Sequence, residues 1–197
     1  MKVGVLALQG DVPEHRQALR DAASGSEPLV VRRPEDLAEV DALFLPGGES
    51  TTIARLIEHA RLWQPLARRL AEGLPVLATC AGLILLAREI ERSPSGKDPP
   101  TFGVLDVRVR RNDYGPQRES FEGPVRVDRL SGRPFPGVFI RSPRIVEVGP
   151  AATPIAWLDD QVVGVRQGAI WGLAFHPELS GDVRVHRLFL AGAAPRR

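Results

Sequence analysis

Cysteine is nearly absent: the chain of 197 residues contains one, Cys80. An internal disulfide is excluded, and a reducing, cytoplasmic compartment is expected. Lysine occurs only at Lys2 and Lys97, asparagine only at Asn112 and methionine only at Met1. With 18 prolines, that scarcity fits either a thermophilic source or a GC-rich genome. No apolar run approaches the length of a membrane span. The opening MKVGVLALQGD lacks a small-residue cleavage site and turns straight into charged sequence, as a first strand does and a signal peptide does not. The net charge is only +2 and there is no basic block, which argues against nucleic acid as a partner. One cysteine and four scattered histidines supply neither a C-x-x-C nor an H-x-x-x-H pair, so no metal site is predicted.

The first half of the chain alternates short apolar runs with amphipathic stretches. Strands are predicted at 2–8, 29–31, 42–45 and 76–78, and helices at 13–22, 34–40, from about 50 to 59, 64–71 and 81–90. Strands this poor in polar positions imply parallel β-α-β units with both sheet faces covered. The second half reads as a loop over 93–100 and then short strands divided by Gly and Pro, at 102–111, 125–127, 138–140, 145–148, 155–158, 162–166 and 170–174. A closing helix is predicted over 182–190. The expected architecture is one α/β domain over residues 1–190, with a mostly parallel centre, helices on both faces, an antiparallel extension and a tail at 191–197.

In such sheets chemistry collects where strands end and loops enter helices. Three loops qualify: Gln9-Gly10, Pro46–Thr51, and the turn around Cys80. A cysteine at a strand-to-helix turn gains exposure at the sheet edge, a following backbone N–H aimed at an oxyanion, and a helix N-terminus that favours thiolate. By position alone, a lone cysteine among apolar residues is more often inert core, so the reading turns on a base. His15, His59 and His186 occupy helical positions where solvated or capping roles are expected. His176 differs: it comes directly after a strand, and Pro177 disfavours helix at His176. Residues i and i+2 of extended backbone share a side, so Glu178 can fix the imidazole tautomer. Cys80, His176 and Glu178 then have the logic of acyl transfer. Pro46–Thr51 lacks the spacing and lysine of a phosphate loop. It fits a polar, uncharged substrate held by backbone groups, or a helix cap built from Ser50 or Thr51.

TCAGLILLA around Cys80, together with FHPE, resembles the class I glutamine amidotransferases, a flavodoxin-like three-layer fold. With GVLALQGDVPEH, LPGGESTTIARL, RNDYG, SFEGPV, GVFIRSPRI and AFHPEL, the chain looks more closely like the glutaminase subunits of pyridoxal 5′-phosphate synthase, over almost its whole length. The resemblance implies hydrolysis of L-glutamine to glutamate and ammonia. The ammonia goes to a partner synthase, a (β/α)₈ barrel assembled in rings, and pyridoxal phosphate is the product of the complex, not a cofactor of this subunit. It implies Cys80 as nucleophile, His176 as base and then acid, and Glu178 as orienting carboxylate. It implies Gly48, Glu49, Ser50, Arg111, Ile140 and Arg141 as glutamine contacts. Oxyanion donors are expected from Ala81 and from Gly47–Gly48 or Gln9–Gly10. In place of the arginine expected before Gln117, this chain has Pro116.

Overall fold

Apolar runs of about four residues are long enough to cross a sheet once, and a helix after each returns the chain to the same edge, which makes the strands parallel. The structure, a computed structural model, describes residues 1–23, 27–91, 98–111, 113 and 120–194. In chain order its first half is β1 (Val3–Leu6), α1 (Val12–Ala22), β2 (Leu29–Val31), α2 (Pro34–Ala38), β3 (Ala42–Leu45), α3 (Ser50–His59), α4 (Trp63–Ala71), β4 (Val76–Thr79) and α5 (Ala81–Leu86). The second half runs β5 (Ala87–Ile90), β6 (Leu105–Arg110), β7 (Phe121–Val127), β8 (Phe135–Phe139), β9 (Arg144–Val148), β10 (Thr153–Leu158), β11 (Gln161–Gln167) and β12 (Ile170–Leu173). A short 3₁₀ turn at Pro177–Leu179 leads into α6 (Arg184–Ala193).

The main sheet has the order β2-β1-β3-β4-β12-β11-β10-β7-β8. Its first five strands are parallel, and the remaining four extend it antiparallel. A second sheet, β5-β6-β9, stands beside it. All of β3 and β4 is buried, as strands covered by helices on both faces must be. Helices α1 and α6 pack on each other, as do α3 and α5. Phe44 of β3 meets Phe189 of α6 edge to face, with centroids 5.2 Å apart. The α/β expectation, parallel centre and antiparallel extension, holds. Among the described residues no helix is long and apolar enough to cross a membrane.

Several boundaries depart from the sequence reading: β7 and β8 begin at Phe121 and Phe135, earlier than the expected 125 and 138, and α2 stops at Ala38, short of 40. The helix expected over 81–90 stops at Leu86, and Ala87–Ile90 pairs in parallel with β6. The carbonyls of Leu85 and Leu86, which a continuing helix would have used, instead accept from the N–H groups of Phe102 and Val104. A short all-apolar run has no periodicity to separate the two states. At the other end α6 continues to Ala193, past the expected stop at 190. Most of the predicted 93–100 loop lies outside the described residues.

Register places the site. β4 lies between β3 and β12, with Leu45 opposite Ala78 and Thr79 opposite Leu173, and β1 flanks β3 on its other side. Four adjacent strands therefore end at one edge. The loops leaving them begin at residues 7, 46, 80 and 174.

Candidate active site

Cys80 is the residue that turns β4 into α5. Its backbone stands at φ 47°, ψ −101°, a region that side chains other than glycine rarely adopt. The turn is pinned by a hydrogen bond from Cys80 N–H to the Leu173 carbonyl at 2.8 Å. Small neighbours are required: a Cβ at Gly82 would stand 3.2 Å from Ala78 Cβ and collide with the Leu45 carbonyl. The thiol is nearly buried, with Sγ 4.0 Å from the carbonyl oxygen of Ile140.

His176 arrives from the neighbouring strand end. Its N–H donates to the Val138 carbonyl at 2.8 Å, which draws the chain after β8, and with it Ile140 and Arg141, over the site. Glu178 reaches His176 as the sequence predicts, Oε1 to Nδ1 at 2.8 Å, but the backbone reason differs. Pro177–Leu179 is a 3₁₀ turn, so it is the tight turn, not an extended i, i+2 pair, that folds the carboxylate back. A second carboxylate also faces Nδ1: Asp11 Oδ2 at 3.2 Å. The donor atoms of Asp11, His176 and Glu178 lie within 4.8 Å of one another, yet both acids address one ring nitrogen, an arrangement suited to a proton.

Burial by itself would lower the His176 pKa. Asp11, Cys80 and Glu178 outweigh it and hold the imidazole well above its ordinary value. Burial would raise Glu178, and the two histidines facing it, His15 and His176, keep it lowered. Nε2 of His176 is buried without a hydrogen bond of normal geometry among the described residues.

A cleft of about 330 Å³ opens over these groups, within the size range of small-ligand sites. Cys80, His176 and all six predicted glutamine contacts, Gly48, Glu49, Ser50, Arg111, Ile140 and Arg141, line it, as do Gln9 and Gly10. Glu178 stands behind His176. Gly47 and Ala81 sit beneath the surface of the cleft. Arg111 reaches it from the end of β6, with Nη2 3.2 Å from Glu49 Oε1 and Nη1 3.3 Å from Asp98. Asn112 and the segment containing Pro116 lie outside the described residues.

Glu49, not Ser50 or Thr51, caps α3. Its carboxylate accepts from Thr51 N–H at 3.2 Å and Thr52 N–H at 2.6 Å. Burial would raise its pKa, but these donors and Arg111 lower it, as expected of an acid at a helix N-terminus. The two glycine loops interlock. Gln9 Oε1 accepts from Glu49 N–H at 3.0 Å, and Asp11 N–H donates to the Gly47 carbonyl at 3.3 Å. Gly10, at φ +102°, has no room for a Cβ against that same carbonyl, and a Cβ on Gly47 would stand 2.9 Å from His176 Nδ1.

Three residues were missed or misplaced by sequence reasoning. Asp11 is not among the residues the sequence singles out, although it faces His176 Nδ1. His15 and His186, expected in solvated or capping positions, are fully buried; His59 is exposed as expected. The signal was present, since His15 shares a helical face with Ala18 and Leu19, and His186 with Phe189.

His186 stacks on Phe44, centroids 5.7 Å apart and 7° between planes, and burial pushes its pKa down to about 3. Its unfolded value is about 6.5. Between those values the unfolded chain binds the extra proton, so stability is retained above pH 6.5 and lost as pH falls, by about 1.4 kcal/mol per pH unit from this group. His186→Phe is expected to reduce the slope of unfolding free energy against pH by close to one proton between about pH 6 and about pH 4, read from urea midpoints. An unchanged slope would place the acid sensitivity elsewhere.

The family model described as "SNO glutamine amidotransferase family" matches residues 5–194. The chain is 51% identical over 200 residues to "Pyridoxal 5′-phosphate synthase subunit PdxT" of Pyrococcus abyssi, covering 98% of this chain and 100% of that one. It is 53% identical over 187 residues to the protein of the same name from Streptomyces coelicolor, covering 95% and 91%. A solved structure described as "Crystal structure of glutamine amidotransferase" superposes with a TM-score of 0.88 at 44% identity over 98% of this chain and 99% of that chain. A chain from the structure of PurLQS of Thermotoga maritima shares the fold, with a TM-score of 0.63 at 18% identity over 98% and 100%.

Proposed function

The chain belongs to the SNO glutamine amidotransferase family, and from that premise we propose that its Cys80–His176–Glu178 cleft hydrolyses L-glutamine through a γ-glutamyl thioester. The protein is the glutaminase subunit of pyridoxal 5′-phosphate synthase: relatives at about half identity over nearly the full chain carry the name of a subunit of that synthase, and the matching family is one of glutamine amidotransferases.

Arg111 takes the substrate α-carboxylate at the mouth of the cleft, exchanging part of its contact with Glu49, since a planar guanidinium matches a carboxylate in bidentate fashion. Glu49, Ser50, Ile140 and Arg141 hold the remainder of the amino acid, and its amide end descends to Cys80. The Cys80 thiolate, paired with protonated His176, attacks the amide carbon. We assign the oxyanion to the N–H of Ala81, the first residue of α5 after Cys80, together with Gly48, which lines the cleft. The proton on His176 Nε2 passes to the departing nitrogen, ammonia leaves, and a thioester remains. Water then gives a proton to the neutral imidazole and its oxygen to the acyl carbon, releasing glutamate and restoring the thiolate pair. Throughout, Glu178 keeps Nδ1 protonated. No cofactor takes part.

The partner in this reading is a (β/α)₈-barrel synthase that assembles in rings and receives the ammonia directly. The observation that supports the chemistry best is the Glu178–His176 hydrogen bond beside a thiol on a strained strand-to-helix turn. Incubation with glutamine is expected to release ammonia slowly, and several-fold faster with the barrel synthase present. No ammonia in the presence of that partner, or equal cleavage of peptides, would refute the assignment.

A further inference from the structure

The glutaminase steps leave one buried titratable group at the site unused. His15, on α1, has no exposed side-chain surface. Its Nε2 is hydrogen-bonded with Thr79 Oγ1 at 3.1 Å and makes a longer electrostatic contact, 3.5 Å, with Glu178 Oε1, the same oxygen that bonds His176 Nδ1. Its Nδ1 has no hydrogen-bond partner among the described residues. Both atoms facing Nε2 are oxygens and one is a carboxylate, so the ring proton belongs on Nε2.

Several charges act on this ring. Burial lowers its pKa most, and His176 adds to that, while Glu178 opposite, with Asp11 and Glu14, raises it; the net direction is down. His186 of α6 lies edge-on, with centroids 6.0 Å apart. His15 is therefore neutral, and it offers Glu178 an N–H dipole, not a charge. A buried carboxylate needs donors; Glu178 has His176 Nδ1 and its own backbone N–H, and its terminal torsion is soft, so a further N–H beside Oε1 limits how far its plane can turn.

We propose that His15 is a positioning residue for the glutaminase reaction: its Nε2–H, lying between Thr79 Oγ1 and Glu178 Oε1, fixes the carboxylate that aims His176 and ties it to the strand end preceding Cys80. This rests on the glutaminase reading of Cys80, His176 and Glu178. The geometry joins three elements at one imidazole: α1, the end of β4, and the 3₁₀ turn that presents Glu178.

The test compares His15→Phe, which keeps a ring against Phe44 and His186 but loses the donor, with His15→Gln, whose amide can donate from a similar reach. In the complex with the barrel synthase, kcat of His15→Phe is expected to fall about 10- to 100-fold with KM nearly unchanged, and His15→Gln to recover most of it. The acid limb of its kcat profile should move to higher pH, because Glu178 loses a donor to its ionised form. A second readout needs no turnover: Cys80 in the free chain should react with iodoacetamide about tenfold more slowly at neutral pH in His15→Phe, and near the wild-type rate in His15→Gln. The proposal is overturned if His15→Phe keeps its wild-type kcat and alkylation rate, or if His15→Gln is as impaired as His15→Phe in both. Failure of the wild-type complex to release ammonia would instead refute the glutaminase reading, and the alkylation comparison would still decide the role of His15.

Discussion

Cys80→Ala is expected to lose glutamine hydrolysis entirely, by about four orders of magnitude or more, while folding and docking on the partner synthase like the wild type. Losing the nucleophile removes the covalent step and every later one, and single losses within such catalytic units typically cost that much. The fold should tolerate the change for a local reason. The turn at φ 47° is as strained for cysteine as for alanine, and its anchors are backbone groups, Cys80 N–H on the Leu173 carbonyl and the Cys80 carbonyl accepting from Ile84 N–H at 3.2 Å. Ammonia release in the assembled complex, thermal unfolding and co-elution with the barrel synthase measure the three quantities. Since the chain has no other cysteine, thiol titration should fall to zero in the same sample. Residual activity within tenfold of wild type would end the nucleophile assignment.

Glu178→Gln is expected to produce the second largest loss, about 10³-fold in kcat. Replacing an orienting carboxylate by its amide in a comparable triad lowers kcat by about 10⁴, chiefly by permitting the wrong imidazole tautomer. Here the loss should be smaller, because Asp11 Oδ2 stands 3.2 Å from the same Nδ1 and remains a carboxylate when Glu178 is gone. Removing both acids, as Asp11→Asn with Glu178→Gln, should recover the full penalty. The acids also hold His176 above its ordinary pKa, so the neutral-pH reactivity of Cys80 should fall in step with kcat. If Glu178→Gln retains near wild-type kcat, Glu178 is structural and the triad reading fails at its third member.

Much of the site was legible because parallel strands announce themselves as short apolar runs, and each run gives way to a loop at the functional edge. Gln9-Gly10, Pro46–Thr51 and the Cys80 turn were all found that way, and His176-Pro-Glu178 by the proline that stops a helix. Less legible were residues whose role depends on a distant neighbour. Asp11 looks like any acid before a helix, and only the interlocking of Gly10 with Gly47 brings it to His176. His15 has the periodicity of a core position, but no local pattern says that the core there contains Thr79 and Glu178. The end of α5 was misread because an all-apolar stretch fits helix and strand equally until the segment of Phe102 and Val104 takes its last carbonyls.

The amino-acid sequence by itself determined the fold class and singled out Cys80, His176 and Glu178 as the candidate thiol, base and acid, since these stem from local pattern and residue chemistry, whereas the candidate glutamine contacts came from family resemblance. Tertiary structure alone decided that β12 inserts beside β4, so that residues far apart in the chain meet at one edge, and that a second acid and a buried histidine stand around the imidazole. The physical reason is that pairing between distant strands is chosen by the burial and hydrogen bonding of the whole sheet, a quantity that no short window of sequence contains.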